Sequence, residues 1–367
     1  MPDHPADDRW MSLALTLGRR GLGRCWPNPA VGCVIIKDGR VIGRGWTQAG
    51  GRPHGETRAL AQAGGNAVGA TAYVTLEPCA HHGQTPPCAT ALIAAGITRV
   101  VSALEDPDPR VSGGGHAMLR AAGVAVVVGV GATEAAFDHA GFLLTKTQTR
   151  PFLTLKLAAS FDGRIATNSG ESQWITGPQA RHFSHYLRAT HDAVMIGSGT
   201  VRADDPVLTV RGFGDIHQPV RVICDSNLGT DPGGNLGRSA RDVPVWLCHG
   251  PKAAAANRAA WEATGATLIP CKTDANGRLD ISDALSQLAH RGLTRVFCEG
   301  GGQLAASLLA AGQVDQLISF NAGLALGAQG TPSVATLPDM PLADYPRFTL
   351  RETRKIGVDA LQIWRRS

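Results

Sequence analysis

Residues 54 to 88 contain side chains that could hold a metal ion and transfer protons. His54 and Glu56 begin a predicted helix in "HGETRALAQAG", and Cys79 and Cys88 lie in "EPCAHHGQTPPC". One imidazole and two thiolates leave the fourth position of a tetrahedral Zn²⁺ open for water, whereas structural zinc is closed by four protein ligands. A carboxylate two residues from the imidazole can take a proton from that water and pass it to a leaving amine. The set predicts a catalytic zinc site with ligands His54, Cys79 and Cys88 and with Glu56 as catalytic residue.

The spacing of the two cysteines differs from the signature of zinc-dependent base deaminases, which is H-x-E followed by P-C-x-x-C. Here the longer segment "AHHGQTPP" separates Cys79 from Cys88. His81 and His82 in this segment are rival ligands that could close a structural zinc site, and the cysteines could also be ordinary core thiols. The helix start "PPC" keeps Cys88 where the second cysteine of the signature would stand. We therefore interpret the site as catalytic.

A second candidate site is glycine-rich. "RVFCEGGGQLAASLL" is a predicted strand, a triple glycine and a predicted helix. Glycine lets the backbone approach a phosphate closely, and the N–H groups at a helix start favour an anion. The pattern is not G-x-G-x-x-G, so it predicts no Rossmann fingerprint, and a plain strand-to-helix turn is the alternative. Together with the turns in "MIGSGTVRADDP" and "CDSNLG", it indicates a ligand site at one edge of an α/β sheet.

The elements that must position these residues alternate between strands and helices. In the first half the alternation predicts a mostly parallel sheet covered by helices, with a hairpin in "AVGCVIIKDGRVIGRGW" that turns at "KDG". The second half predicts another largely parallel sheet, closed by antiparallel strands in "QVDQLISFNAG", "RFTLRETRKIG" and "DALQIWRR". The polar segment "TKTQTRP" is typical of a domain boundary. We predict domains of residues 1–148 and 149–367.

Composition narrows the class of protein. A chain of 367 residues with 43% hydrophobic and 18% charged residues indicates two globular domains. The net charge of +5 is spread without a polybasic run, so a nucleic-acid partner is unsupported and phosphorylated small molecules explain the charge equally well. No apolar stretch predicts a membrane span. The 8 cysteines, without a secretory signal, predict thiols or metal ligands in a cytoplasmic protein.

Several longer motifs resemble one family. "PNPAVGCVI", "HGE", "TLEPCAHHGQTPPC" and "DPDPRVSGGG" resemble the deaminase half of the bifunctional riboflavin-biosynthesis deaminase/reductases, and "LKLAASFDGRIA", "GESQWIT", "GSGTVRADDPVLTVR" and "EGGGQLAASLL" resemble the reductase half. The resemblance runs over nearly the whole chain, and the long interval between the cysteines is this family's form. It implies Zn²⁺-dependent removal of the 2-amino group of a diamino-ribosylamino-pyrimidinone 5′-phosphate. NADPH-dependent reduction of the ribosyl side chain to ribityl would follow.

The resemblance also implies a fold and contacts. The fold would be an N-terminal cytidine-deaminase-like three-layer α/β/α domain followed by a dihydrofolate-reductase-like α/β domain. His54, Cys79, Cys88 and Glu56 match the family's zinc ligands and proton shuttle. The implied NADPH contacts are Ala158, Trp174, Thr176, Thr200, Asp204, Ser226, Gly301, Gly302, Gln303 and Leu304. The implied substrate contacts are Asn28, His82, Ser172, Arg188, Leu208, Arg211 and Glu299.

Some of these positions also have a physical rationale of their own. Arg188 and Arg211 suit phosphate clamps, because guanidinium groups match phosphate oxygens, although an isolated arginine is more often a solvated surface residue. Lys156 lies inside the apolar strand "FLTLKLAAS", and a buried lysine needs a partner. We therefore expect Lys156 to polarise the ribose end of the substrate near Glu299. On composition alone, Asn28 between two prolines could be a turn residue and Trp174 a core residue.

Two other functions compete with this one. A nucleoside or tRNA deaminase fused to an unrelated reductase would need a basic or aromatic surface if it bound RNA, and 5% aromatic residues disfavour it. A sensor that binds zinc and nucleotide without catalysis would have no use for Glu56. We therefore expect an enzyme with a small phosphorylated pyrimidine as substrate, no nucleic-acid or membrane partner, and a homo-oligomeric state of dimer or tetramer.

Overall fold

The computed structural model of the chain describes residues 5–80, 86–108 and 112–367. The chain divides into two units, Met1–Thr149 and Arg150–Ser367, and the junction lies one residue after the junction that the sequence predicts. The segment "TKTQTRP" is partly helical, because the last helix of the first unit continues to Thr147. None of the helices in the described ranges is long and apolar enough to cross a membrane.

The N-terminal unit alternates strands and helices. Its elements are α1 (Pro5–Gly18), β1 (Gly32–Lys37), β2 (Arg40–Trp46), α2 (Gly55–Ala63), β3 (Thr71–Val74), α3 (Cys88–Ala94), β4 (Arg99–Ser102), α4 (Gly114–Ala121), β5 (Ala125–Val128), α5 (Ala132–Asp138) and α6 (Ala140–Thr147). The predicted hairpin is present as β1 and β2, and its turn places Asp38 and Gly39 at positive φ. Both central residues of a type I′ turn need this conformation.

The sheet of the N-terminal unit is mixed rather than mostly parallel. Over the described residues its strand order is β2-β1-β3-β4-β5, and β1 is antiparallel to both β2 and β3, whereas β3, β4 and β5 are parallel. The crossover helix α2 makes β3 run in the same direction as β2, as in any βαβ unit. Because β1 lies between these two strands, it opposes both, and the prediction of a mostly parallel sheet is wrong at this edge.

Helices cover both faces of this sheet. Successive side chains of a strand point to opposite faces, and β1 follows that rule. Cys33 and Ile35 pack in a core with α2, α3 and α4, while Val34 and Ile36 pack with α1 and α5. The unit therefore has the three α/β/α layers that the resemblance implies.

The helix α2 approaches β2 closely at two glycines. A Cβ atom on Gly43 would lie 2.3 Å from the carbonyl oxygen of Ala59, and one on Gly45 would lie 2.0 Å from that of Gly55. Real side chains do not tolerate such distances, so glycine at these positions lets the helix backbone rest on the strand. This contact sets the depth at which the first turn of α2 lies against the sheet.

The C-terminal unit is larger and also alternates. Its elements are β6 (Phe152–Ser160), β7 (Arg164–Ala166), α7 (Pro178–Ala189), β8 (Ala193–Gly197), α8 (Ser198–Asp204), β9 (Val220–Cys224), α9 (Asn235–Arg238), β10 (Val245–His249), α10 (Ala255–Ala263), β11 (Thr267–Pro270), α11 (Ile281–His290), β12 (Arg295–Cys298), α12 (Gly302–Ala310), β13 (Gln316–Ala322), β14 (Thr331–Pro332), β15 (Phe348–Ile356) and β16 (Asp359–Arg366).

Its main sheet has the order β11-β10-β9-β8-β12-β6-β13-β16-β15. From β11 to β13 all neighbours are parallel, and β16 is antiparallel to β13 and β15. The predicted closing antiparallel strands are therefore right for β15 and β16. The segment of β13 belongs to the parallel part instead, because it follows the crossover helix α12. The carboxyl ends of β6, β8, β9 and β12 meet at one edge, where α/β proteins bind ligands.

The close contact of α2 with β2 predicts a specific loss of stability. In Gly45→Ala the added methyl group would collide with the backbone of α2, so we expect a cost of about 1–3 kcal/mol and a lower unfolding temperature in calorimetry. Gly65→Ala is the matched control, because nothing lies within 4 Å of the Cβ position there and its φ is not positive. Equal unfolding temperatures for the two variants would contradict the contact.

Candidate active sites

Three side chains that could hold a metal meet beside the sheet of the N-terminal unit. His54 precedes the first residue of α2 in an extended conformation, Cys88 is the first residue of α3, and Cys79 lies between β3 and α3. The Nδ1 atom of His54 lies 3.3 Å from Sγ of Cys88 and 3.7 Å from Sγ of Cys79. All three donor atoms lie within 4.8 Å of one another. The structure thus brings together the ligands that the sequence predicts.

The chemistry of this donor set fits zinc. A nitrogen at about 2.0 Å and a sulfur at about 2.3 Å from a tetrahedral zinc lie about 3.6 Å from each other, close to the distances between these atoms. The backbone N–H of Cys88 donates to Sγ of Cys79 at 3.3 Å. Hydrogen bonds from Cys88 and His54, opposed by burial, lower the pKa of Cys79 to about 4. A sulfur that ionises readily and accepts a hydrogen bond from the N–H at a helix start is a good metal ligand.

Glu56 lies in the first turn of α2, two residues after His54. The residue is 3% exposed, and burial raises its pKa while the charge of His54 opposes that rise. Its Oε2 atom has no hydrogen-bond partner among the residues that the structure describes. An unpaired buried carboxylate oxygen is costly, and this one borders a cavity. The arrangement indicates that a ligand supplies the missing partner.

That cavity has a volume of about 310 Å³ and is lined by His54, Glu56 and Cys79. Asn28 also lines it, and its side-chain amide donates to the carbonyl oxygen of Gly51 at 2.9 Å. The contact of Asn28 with a pyrimidine stays a prediction. His81 and His82 lie outside the described residues, so their predicted roles stay predictions as well.

Sequence reasoning missed a buried glutamate that lines this cavity. Glu77 accepts hydrogen bonds from the backbone N–H groups of Asp106, Gly113, Gly115 and His116 at 2.8 to 3.1 Å. The last two belong to the first turn of α4, where a carboxylate is favourable. The side chain thereby ties the segment from Asp106 to α4 to the residue that precedes Pro78 and Cys79. The signal was present in "TLEPC" and "SGGG", but the sequence does not show which backbone groups a glutamate will meet.

The cavity has further charged residues that sequence reasoning did not single out. They are Arg52, Asp106, Asp108 and Lys146. Two of them stand in "DPDP" and Lys146 lies in α6. Because α6 is distant in sequence from the other lining residues, no spacing pattern could have placed Lys146 at this site.

In the C-terminal unit a second cavity, of about 440 Å³, lies at the carboxyl ends of β6, β8 and β12. Most of the predicted NADPH contacts line it, namely Ala158, Thr200, Asp204, Gly301, Gly302, Gln303 and Leu304. Lys156, Ser172 and Glu299, which are predicted substrate contacts, line it too. The structure therefore gathers segments that are far apart in sequence around one cavity.

The start of α12 in this cavity fits a phosphate group. Gly301 precedes the helix without a side-chain cap, and its N–H donates to Oγ1 of Thr200 at 3.2 Å. A Cβ atom on Gly302 would lie 2.6 Å from the carbonyl oxygen of Pro332, so the turn is close-packed behind the cavity. Helix-start N–H groups beside small residues are a common binding site for the phosphates of a dinucleotide. The residues present fit NADPH.

Glu299 is the charged centre of this cavity. Its Oε1 atom lies 2.5 Å from Nε of Arg188, and its Oε2 atom lies 3.5 Å from Nζ of Lys156. Arg188 also donates to the carbonyl oxygen of Thr209 at 2.9 Å. Burial opposes ionisation, but Arg188 and Lys156 outweigh it and lower the pKa of Glu299 to about 2. Lys156 and Glu299 are thus neighbours, while the catalytic role of Lys156 and the phosphate role of Arg188 stay predictions.

Other predicted contacts are not among the described residues that line this cavity. Trp174 is 68% exposed, and the guanidinium of Arg181 lies 4.5 Å from the centre of its ring. The carbonyl oxygen of Thr176 accepts a hydrogen bond from the same arginine. Oγ of Ser226 accepts from the N–H of Leu279 at 3.2 Å. These contacts hold loops together without reaching the cavity.

Two predicted substrate contacts lie in the segment after α8. Leu208 is buried at 5% exposure and adopts a positive φ of 57°. Arg211 is exposed, and its backbone N–H donates to Nδ1 of His185 at 3.2 Å. The structure gives Arg211 an open position from which a guanidinium can reach an anion, and its role as a clamp stays a prediction.

Two family models match the chain. The model described as the cytidine and deoxycytidylate deaminase zinc-binding region matches residues 5–104. The model described as the RibD C-terminal domain matches residues 151–362, which is more than half of the chain. The three metal donors His54, Cys79 and Cys88 therefore lie inside the first match, and the residues that line the glycine-rich cavity lie inside the second.

Full-length relatives cover both units. The riboflavin biosynthesis protein RibD of Escherichia coli (strain K12) is 42% identical and covers 96% of this chain and 97% of its own length. The protein of the same name from Haemophilus influenzae is 41% identical, with 95% of each chain covered.

Solved structures agree with these relatives. Form 1 of RibD from Acinetobacter baumannii superposes with a TM-score of 0.88 at 36% identity and covers 99% of both chains. The diaminohydroxyphosphoribosylaminopyrimidine deaminase/5-amino-6-(5-phosphoribosylamino)uracil reductase of Thermotoga maritima gives a TM-score of 0.86 at 31% identity, also with 99% of both chains covered. The predicted fold class, a cytidine-deaminase-like domain followed by a dihydrofolate-reductase-like domain, is thereby confirmed.

The bonds of Glu77 predict a local loss of protection. In Glu77→Gln one oxygen becomes an amide nitrogen, so two of the four backbone donors lose their acceptor. We expect amide hydrogen exchange across Gly113–Ala121 to become at least about tenfold faster, because hydrogen bonds to charged groups contribute about 1.5–3 kcal/mol each. Glu105→Gln is the control, since Glu105 is an exposed residue of the same segment. Unchanged exchange in Glu77→Gln would contradict the anchoring role.

Proposed function

The chain belongs to the RibD family, in which a deaminase domain precedes a reductase domain, and we propose how its residues share the two reactions. It is a bifunctional enzyme of riboflavin biosynthesis, a hydrolase that acts as a deaminase and an NADPH-dependent oxidoreductase. Zn²⁺ serves the first reaction and NADPH the second. We assign the deamination of a diamino-ribosylamino-pyrimidinone 5′-phosphate to the N-terminal unit. The reduction of the ribosyl side chain to ribityl we assign to the C-terminal unit.

The observation that carries the deaminase assignment is the Oε2 atom of Glu56, which lies beside three metal donors and has no hydrogen-bond partner among the described residues. His54, Cys79 and Cys88 would hold the zinc, which would supply the Lewis acidity that makes water nucleophilic at neutral pH. Glu56 then takes up a proton at its free oxygen and delivers it to the departing amine. Its burial raises its pKa, which suits a group that must both accept and release a proton.

The other side chains of this cavity would orient the pyrimidine. The side-chain nitrogen of Asn28 donates to the carbonyl oxygen of Gly51, which fixes the direction of the side-chain oxygen. This oxygen can then accept a hydrogen bond from an N–H group of the pyrimidine ring. Val31, Leu76 and Phe142 give the cavity apolar walls, which exclude water and strengthen the polar contacts inside it. Substrate positioning of this kind supplies a large share of enzymatic rate enhancement.

In the reductase cavity NADPH supplies the hydride, and the protein mainly positions the reactants. The phosphates of NADPH would lie at the start of α12, beside Thr200. Lys156 would present its ammonium group to the ribosyl end of the substrate, because Glu299 holds it at 3.5 Å. Arg188 neutralises the second oxygen of Glu299 and so keeps this carboxylate ionised in a buried position.

The comparisons favour this function over a nucleoside or tRNA deaminase joined to an unrelated reductase. One family model covers nearly all of the C-terminal unit, and relatives that carry the RibD name align with both units together. An unrelated reductase would break that alignment at the boundary.

The proton role of Glu56 predicts a selective loss of the first reaction. With the diamino-pyrimidine substrate and no NADPH, Glu56→Gln should release ammonia about 10²- to 10⁴-fold more slowly. Zinc content measured by atomic emission should stay the same, because Glu56 is not a ligand. Glu105→Gln is the control. Near-normal ammonia release from Glu56→Gln would show that the assignment is wrong.

Metal removal separates the two assignments in the same assay. Chelation should abolish ammonia release but spare NADPH oxidation when the deaminated substrate is supplied, since the zinc ligands all lie in the N-terminal unit. Loss of both reactions on chelation would contradict two independent sites.

The Lys156–Glu299 pair predicts a defect of the second reaction. Lys156→Met should lower kcat for NADPH oxidation on the deaminated substrate by about 10- to 100-fold, the value of one charge-assisted contact in the transition state. The dissociation constant of NADPH, read from its fluorescence, should change less than kcat does. Lys355→Met, at an exposed position on β15, is the control. Full activity of Lys156→Met would rule out the polarising role.

A further inference from the structure

The deaminase cavity is rich in carboxylates. Glu56, Glu77, Asp106 and Asp108 line it, and among its lining residues in the described ranges the lysine and arginine are Arg52 and Lys146. The proposed substrate carries a 5′-phosphate, which such an acidic surface repels unless a cation stands beside it. Among the described residues, Arg52 and Lys146 are therefore the candidates for a cation that faces the phosphate.

Arg52 belongs to the metal end of the cavity. It lies two residues before His54, which is one of the three metal donors. The 2-amino group that leaves the pyrimidine must lie at this end, next to the zinc ligands. The phosphate is at the opposite end of the same substrate, because the ribose separates it from the ring.

Lys146 reaches the cavity from the last turn of α6. Its Nζ atom lies 3.3 Å from Oδ2 of Asp108 and 5.2 Å from the centre of the Phe142 ring. Phe142 is one helical turn earlier in α6 and is packed in the core, so it fixes the direction of the lysine stem. Burial raises the pKa of Asp106 to about 6, and the charge of Lys146 acts against that rise. Lys146 is therefore close to both Asp106 and Asp108.

We propose that Lys146 binds the 5′-phosphate of the substrate in the deaminase cavity and thereby sets its preference for a phosphorylated pyrimidine. This inference rests on the proposed function of the N-terminal unit. An ammonium group has three donors, and Asp108 occupies one direction. The side chain of Lys146 is 30% exposed while that of Asp108 is 7% exposed, so the lysine is the more accessible member of the pair. Asp108 holds the ammonium in place, and the phosphate completes its coordination.

The alternative is that Lys146 only neutralises a buried aspartate. An ion pair of that kind would support the fold and would affect every substrate alike. A phosphate contact would affect the phosphorylated substrate and not its dephosphorylated counterpart. The ratio of kcat/KM for these two substrates distinguishes the two roles, because a general loss of folded enzyme cancels in it.

The experiment measures ammonia release by the zinc-loaded full chain from the phosphorylated substrate and from its dephosphorylated form. In Lys146→Met we expect the ratio of kcat/KM, phosphorylated over dephosphorylated, to fall about 10- to 100-fold, mainly through KM. Lys146→Arg should keep most of the ratio. Lys37→Met is the matched control, because Lys37 donates to the carbonyl oxygen of Val68 at 2.8 Å and is not among the described lining residues.

A ratio in Lys146→Met that equals that of the unsubstituted protein would overturn the phosphate role, even if both activities fell. Absence of ammonia release from either substrate by the unsubstituted protein would overturn the proposed function and this inference together. The two failures are therefore distinguishable in one set of assays.

Discussion

A carboxylate buried inside a protein needs donors or cations around it, and each unit of this chain contains one such group. Glu77 follows β3 and Glu299 follows β12, so both stand just beyond the end of a strand in the sheet interior. Around Glu77 the structure gathers backbone N–H groups, and around Glu299 it gathers two cationic side chains. The loops that shape both cavities are arranged about these two carboxylates.

Binding of Glu77 by backbone groups and binding of Glu299 by side chains have different effects on the two cavities. Two of the four backbone donors cannot turn away without unfolding the first turn of α4, so the bonds of Glu77 give a fixed wall next to Cys79. Side-chain donors can be shared, and Arg188 and Lys156 can keep part of their contact with Glu299 while they meet a ligand. A rigid support thus stands behind the metal ligands, and an adjustable one stands where a larger substrate and a cofactor must enter together.

The chemistry could be predicted from the sequence where residue types and helix starts carry it. His54, Glu56 and Cys88 all stand at helix starts, and the hairpin turn was visible in "KDG". The mixed order of the first sheet could not be predicted, because it depends on which strands become neighbours after a crossover. The partners of Glu77 are backbone N–H groups, which nearly every residue has, so the residue types in the sequence do not indicate which of them will bind this carboxylate. Lys146 comes from a helix distant in sequence, and its contact with Asp108 exists only in the folded chain.

The close contact of α2 with β2 at Gly43 and Gly45 affects how precisely the side chains at the start of α2 are positioned. His54 and Glu56 stand at the same end of this helix, so one rigid body carries both the metal donor and the proton carrier. Small displacements of the helix against the sheet move the two side chains together and leave their separation unchanged. The helix itself, rather than a further bond, thereby keeps the imidazole that would hold the zinc at a constant distance from the carboxylate.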